Sequence, residues 1–152
     1  MNKPAETPAL PETRIIPALA GVVRCEGGGW SQRLFGNRCR ECGAVSLTRS
    51  RFCPACWSHD SQEEHMLSER GTLYSFTTVH HAPPGYDAPY GIAYVDLLEG
   101  VRLMARVEAG LLKRLAPGNM VAIGVDPVGK EEDGTVIVGP VIREKITAGG
   151  GK

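Results

Sequence analysis

The 152-residue sequence predicts a mainly β protein, a small four-cysteine ribbon followed by a five-stranded barrel of the OB type. Three observations carry that expectation. Gly and Pro fill 19 and 11 positions, roughly a fifth of the chain against about 12% in ordinary proteins, and both penalise helix interiors. Four of the five cysteines fall in two Cys-x-x-Cys pairs, Cys39 with Cys42 and Cys53 with Cys56, ten residues apart. Beyond them the elements run strand, strand, strand, short helix, strand, strand, the order of a small OB barrel.

Residues 1–22 hold Pro4, Pro8, Pro11 and Pro17 and one apolar run, Arg14 to Leu19. This composition predicts an extended arm without a core of its own. Its Ile15, Ile16 and Leu19 either belong to a disordered tail or dock on a partner. Residues 23–67 form the ribbon with its flanks, and the stretch around Gly27-Gly28-Gly29-Trp30 leaves room for one helical turn at most.

Each Cys-x-x-Cys pair forms a tight turn that points two sulfurs at one centre, and two such turns supply the four ligands of a tetrahedral metal site. Cys42-Gly43 and Cys53-Pro54 suit that geometry, because Gly accepts a positive φ and Pro presets the next turn. Four protein sulfurs leave no position for water or substrate, so the metal is structural. A disulfide framework is disfavoured in a reducing compartment, and two pairs at this spacing favour metal over a redox dithiol. Ligand softness suits iron as well as zinc. Cys25 has no close partner and reads as a small unpaired residue. Ser58 to Glu69 is polar, with His59 and His65 as surface residues.

Residues 68–146 form the barrel and 147–152 a flexible tail. Gly71 to Val79 is rich in β-branched and aromatic residues and reads as a strand. A Pro-rich loop, His80 to Tyr90, follows it. Ile92–Leu97 and Val101–Val107 form a hairpin whose register follows from a three-residue turn with Gly100 in the left-handed position. Leu97 then faces Val101, Val95 faces Leu103 and Ala93 faces Ala105, all apolar and on one side. The other side pairs Asp96 with Arg102, Tyr94 with Met104 and Ile92 with Arg106. A short helix, Leu111 to Leu115, stops at Pro117-Gly118. Strands at Asn119–Val125 and Thr135–Ile142, joined by an acidic turn at Lys130–Gly134, complete the set.

The charge balance narrows the function. Seventeen basic residues against 17 acidic ones give a net charge of zero, which removes the whole-molecule attraction to nucleic acids or membrane surfaces. No run approaches the ~18 to 20 apolar residues that cross a bilayer, so a soluble, cytoplasmic protein without membrane contact is expected. Nucleic-acid binding is the main alternative, because ribbons and OB barrels both serve it. Residues 24–51 hold six arginines (24, 33, 38, 40, 49, 51) against Glu26 and Glu41, but residues 68–148 hold eight basic and ten acidic residues. The open hairpin face offers one aromatic, Tyr94, where stacking platforms need several. A free-standing enzyme would draw on His80 and His81 beside Asp87, yet no nucleophile with an orienting partner accompanies them. The loop is instead the expected contact region, with His80, His81, Tyr86 and Tyr90 as candidates and Pro83, Pro84 and Pro89 limiting the entropy lost on ordering. Tyr86 and Tyr90 serve equally well as a cover for the barrel mouth.

Taken together, the four-cysteine ribbon, Gly71-Thr72-Leu73-Tyr74-Ser75-Phe76-Thr77, Pro89-Tyr90 before a strand, Leu97-Leu98-Glu99-Gly100-Val101-Arg102-Leu103 and Pro117-Gly118-x-x-Val121 resemble a known family over residues 36–142. It is that of the zinc-ribbon plus OB-fold accessory proteins of acyl-CoA metabolism. The resemblance implies a rubredoxin-like zinc ribbon with Cys39, Cys42, Cys53 and Cys56 as ligands of a structural Zn2+. It also implies a non-catalytic small subunit in a hetero-oligomer with a thiolase-fold chain, for which a benzoylsuccinyl-CoA thiolase is one plausible assembly. CoA or acyl-CoA would be the substrate of the complex, and the reacting Cys and His would belong to the thiolase chain. Arg38, Arg40, Arg49 and Arg51 would then be candidates for attracting CoA phosphates, although solvation of a small module accounts for them as well. One departure stands out: Gly27-Gly28-Gly29 lies where the family carries a helix.

Overall fold

Short strands build the ribbon and long ones the barrel, because only the barrel segments sustain alternating apolar residues. The computed structural model describes residues 13–147. The readings of Pro4, Pro8, Pro11 and the tail beyond 147 lie outside them. Strands β1 (Ile15–Pro17), β2 (Cys25–Glu26), β3 (Gly29–Trp30), β4 (Phe35–Cys39), β5 (Val45–Ser46) and β6 (Gln62–Met66) come first. Strands β7 (Arg70–Val79), β8 (Tyr90–Leu97) and β9 (Arg102–Glu108), helix α1 (Ala109–Leu112), and strands β10 (Met120–Lys130) and β11 (Val136–Ile146) follow.

The barrel sheet has the order β1-β11-β10-β7-β8-β9, and a short parallel pairing of β11 with β9, Val141 to Arg106 and Ile142 to Val107, closes it. Its interior is filled by Val95, Leu103, Val107, Val121, Val125 and Val138, all without exposed surface. The β8–β9 hairpin has the register expected from its sequence: Ala93 faces Ala105, Val95 faces Leu103 and Asp96 faces Arg102. Leu97 N–H donates to the Val101 carbonyl at 2.9 Å, and Gly100 sits at φ +83° in the turn.

The N-terminal and linking segments gain structure that their sequence does not announce. Ile15–Pro17, expected to be a free or partner-bound arm, adds a sixth strand in parallel to β11, with Ile15 opposite Val136. Ile15 and Leu19 pack on the chain's own core, which covers part of their apolar surface. Between residues 23 and 38, where the sequence leaves room for one helical turn at most, the described elements are strands. The glycines there turn the β2–β3 hairpin, with Gly27 and Gly28 at positive φ. The polar stretch Ser58 to Glu69 contains strand β6, paired along its whole length with β4.

Ribbon and barrel share one buried cluster. Val22, Val23, Leu34 and Leu67 lie in the same apolar core as the barrel interior. Polar contacts add to this junction. Trp30 donates its indole N–H to the Val125 carbonyl at 3.0 Å, and Arg143 hydrogen-bonds Gln32. Glu99, in the β8–β9 turn, accepts from both the backbone N–H and the hydroxyl of Ser68 at 2.7 Å.

Candidate functional site

Two matching turns bring the four sulfurs together. In the first, Gly43 N–H donates to the Cys39 carbonyl at 2.9 Å. In the second, Trp57 N–H donates to the Cys53 carbonyl at 2.9 Å. Strand β4 ends at Cys39 and so fixes the first turn to the ribbon sheet. Cys39 and Cys53 are buried, and Cys42 and Cys56 are exposed.

All four Sγ atoms lie within 4.8 Å of one another. Cys39 to Cys56 is 3.7 Å and Cys42 to Cys53 is 3.6 Å. A tetrahedron with metal–sulfur bonds of about 2.3 Å has edges of about 3.8 Å, and these two distances match it, so the four sulfurs are placed to hold a zinc ion. Two hydroxyls support it. Ser58 Oγ lies 3.3 Å from Cys39 Sγ and 3.0 Å from Cys56 Sγ, and Ser61 Oγ lies 3.2 Å from Cys39 Sγ. Hydrogen bonds from Ser58 and Ser61 hold the Cys39 thiol down at about 5. The Ser58 hydroxyl also draws Cys56 below the ordinary thiol range. A metal ligand must be a thiolate, and these donors favour that form.

Cys25 has a different environment. It lies across from Trp30 in the β2–β3 hairpin, and burial pushes its thiol up. A raised thiol disfavours the reactive thiolate form.

A second feature lies on the barrel. An open pocket of about 320 Å³ is lined by Leu19, Tyr86, Tyr90, Ile92, Met104 and Arg106, among others. The Tyr86 and Tyr90 rings are 6.4 Å apart, and the Arg106 guanidinium sits 4.3 Å above the Tyr90 ring while donating to the Asp87 carbonyl at 3.2 Å. The loop carrying both tyrosines is anchored by Lys130 N–H donating to the Gly85 carbonyl at 2.9 Å. Gly85 is at φ +90°, and a β-carbon there would meet the Lys130 carbonyl.

The structure thus joins Tyr86 and Tyr90 in one pocket and leaves His80 and His81 exposed at the start of the loop. Arg38 and Arg40 lie exposed on the ribbon, where Arg40 donates to the Asp60 carbonyl at 3.0 Å. Sequence reasoning missed Arg106, although the hairpin register places it opposite Ile92 on the outer face. It also missed Tyr74. A register shift between Leu73 and Ser75 leaves Tyr74 54% exposed, with Arg102 stacked 3.4 Å from its ring centroid. The outer face therefore carries Tyr74 as well as Tyr94.

Fold and centre define a class: a four-sulfur metal ribbon fused to an OB barrel. Comparison with known proteins gives the same two parts. Residues 28–61 match the ChsH2 rubredoxin-like zinc ribbon domain, and residues 64–126 match the ChsH2 C-terminal OB-fold domain. The chain is 32% identical over 128 residues to the benzoylsuccinyl-CoA thiolase subunit BbsA of Thauera aromatica, covering 81% of this chain and 84% of that one. It is 38% identical over 76 residues to a DUF35 domain-containing scaffold protein of Methanocaldococcus jannaschii, covering 49% of this chain and 54% of that protein. Among solved structures, the Ltp2-ChsH2(DUF35) aldolase superposes with a TM-score of 0.54 at 27% identity, over 71% of this chain and 84% of that one. The chain belongs to the ChsH2 family of zinc-ribbon and OB-fold proteins. Its four-cysteine centre is the place for a structural zinc ion.

Proposed function

We propose that the chain is a non-catalytic, zinc-stabilised accessory subunit of a cytoplasmic thiolase-type acyl-CoA enzyme complex, which makes or breaks a carbon–carbon bond by thiolytic chemistry. The observation that carries this reading is the near full-length similarity to a benzoylsuccinyl-CoA thiolase subunit. In the complex, Cys39, Cys42, Cys53 and Cys56 hold the zinc, whose chemistry is confined to fixing the ribbon. The barrel serves assembly and guidance of the CoA ester, with the thiolase-fold chain supplying the reacting groups.

Two features support that division. The residues lining the barrel pocket include Tyr86, Tyr90 and Arg106 but no Cys, His, Ser, Thr or carboxylate. The two aromatic rings and the Arg106 guanidinium suit the pocket to holding a group. The outer face of β7, β8 and β9 also exposes Tyr74, Tyr94 and Met104, and aromatic residues and Met are enriched in protein interfaces. His80, His81, Tyr86, Tyr90, Arg38 and Arg40 are the candidate contacts to partner or CoA.

Affinity purification of the tagged chain from its native extract, followed by mass spectrometry and metal analysis, tests the reading. A near-stoichiometric thiolase-fold chain with about one zinc per ribbon is the expected outcome. Recovery of the chain alone, or with nucleic acid, would overturn it.

A further inference from the structure

The two metal-binding turns have the same backbone but opposite choices at one position. After Cys42 stands Gly43 at φ +76°; after Cys56 stands Trp57 at φ +63°. Each donates its N–H to the carbonyl of the first cysteine of its turn. This left-handed conformation is natural for Gly and costly for a bulky side chain. A Trp repays such a cost in a monomer by burial, yet Trp57 is 74% exposed. It therefore carries backbone strain and buries little within the chain.

The same ribbon exposes further groups suited to an interface. Phe52, in the same turn region, is 47% exposed and packs edge-on to His59 with ring centroids 5.1 Å apart. Arg51 reaches His59 Nε2 at 3.3 Å, and Arg40 donates to the Asp60 carbonyl. Residues 38–60 carry Arg38, Arg40, Arg49 and Arg51 against Glu41 and Asp60, a local surplus of positive charge. Trp and Arg are the residues most enriched at binding hot spots.

We propose that Trp57 is the aromatic anchor by which the ribbon, on which Phe52, Arg40 and Arg51 are also exposed, seats in an apolar, acid-rimmed pocket on the catalytic partner. The proposal rests on the accessory-subunit reading and names the surface through which it operates. A protein occupant is favoured over nucleic acid because the barrel beside the ribbon has more acidic than basic residues, and a phosphate backbone would meet both.

The test substitutes Trp57→Gly and Trp57→Asn in the full chain, since both residues tolerate the left-handed region. The probes are the thiolase-fold chain identified by co-purification with the wild type and a 20-nucleotide single-stranded DNA. Zinc content and melting temperature are measured alongside. The expected result is at least about tenfold weaker binding to the thiolase-fold chain, as for a hot-spot residue, with full zinc and an unchanged or higher melting temperature. Binding within twofold of wild type would overturn the proposal, as would a variant that loses zinc or folds less stably. Loss of DNA binding with partner binding intact would overturn it in favour of a nucleic-acid surface. If the wild type itself binds no thiolase-fold chain, the accessory-subunit reading fails, an outcome separate from failure of the Trp57 variants.

Discussion

Ser61 is 4% exposed and spends its hydroxyl on Cys39 Sγ and on Ser58, 2.6 Å away. Outer groups of this kind tune metal affinity by about 10 to 100-fold. Ser61→Ala is therefore expected to weaken zinc binding in that range, measured by competition with a chromophoric chelator; unchanged affinity would remove the hydroxyls from the centre. The Cys-x-x-Cys spacing made the four sulfurs legible from sequence, but Ser58 and Ser61 carry no comparable signal because serine is common in any polar loop. Asp96 offers a pH test. The hydrogen bond from Arg102, at 2.7 Å, holds its carboxyl below the usual carboxylate range. A group depressed on folding stabilises above its unfolded pKa of about 3.9 and loses that contribution as the pH falls through its folded value. Wild type should thus melt slightly above Asp96→Asn at neutral pH, by a small amount because the pair is exposed. The two should converge as the pH falls below the ordinary carboxylate range, and a gap that stays constant into strong acid would contradict the assignment.

Among the elements, the β8–β9 hairpin was readable in full because apolar alternation and Gly100 specify one register. Strand β6 was hidden because Gln62-Glu63-Glu64-His65-Met66 has no apolar alternation; its pairing with β4, not its own burial, makes it a strand. Strand β1 was hidden for a related reason, since three residues between prolines show no period and gain their structure by lying along β11. Two elements are tied across the ribbon–barrel junction by Glu99. Glu99→Ala would leave the Ser68 N–H without its acceptor and is expected to cost on the order of 2 kcal/mol, read by urea denaturation. The loop before β8 depends on a close backbone approach. At Gly85 a side chain would be strained by the positive φ and would strike the Lys130 carbonyl. Gly85→Ala should therefore displace Tyr86 and Tyr90, seen as altered tyrosine NMR shifts with the barrel core intact.

At the scale of the whole molecule, one apolar core runs from the barrel into the ribbon through Leu34 and Leu67. Leu103 has no exposed surface, and Leu103→Ala should cost about 2 to 5 kcal/mol. Zinc supplies much of the folding energy of so short a ribbon, so chelation should unfold residues 39–56 and, through the shared core, lower the melting temperature of the whole chain. The barrel order and the metal site were legible before the structure, whereas the way the two parts fuse was not. Trp30 reaches Val125 and Gln32 reaches Arg143 across more than 90 residues of sequence, and no local pattern announces such contacts. The fused body fits an accessory subunit, and its most direct test is catalytic. The thiolase-fold chain that co-purifies with it should be assayed for CoA-dependent cleavage of its acyl-CoA ester, alone, with this chain, and with this chain stripped of zinc. Activity that requires the zinc-loaded chain, with no activity from this chain by itself, is the expected result. Full activity of the thiolase-fold chain alone, or cleavage by this chain alone, would contradict it.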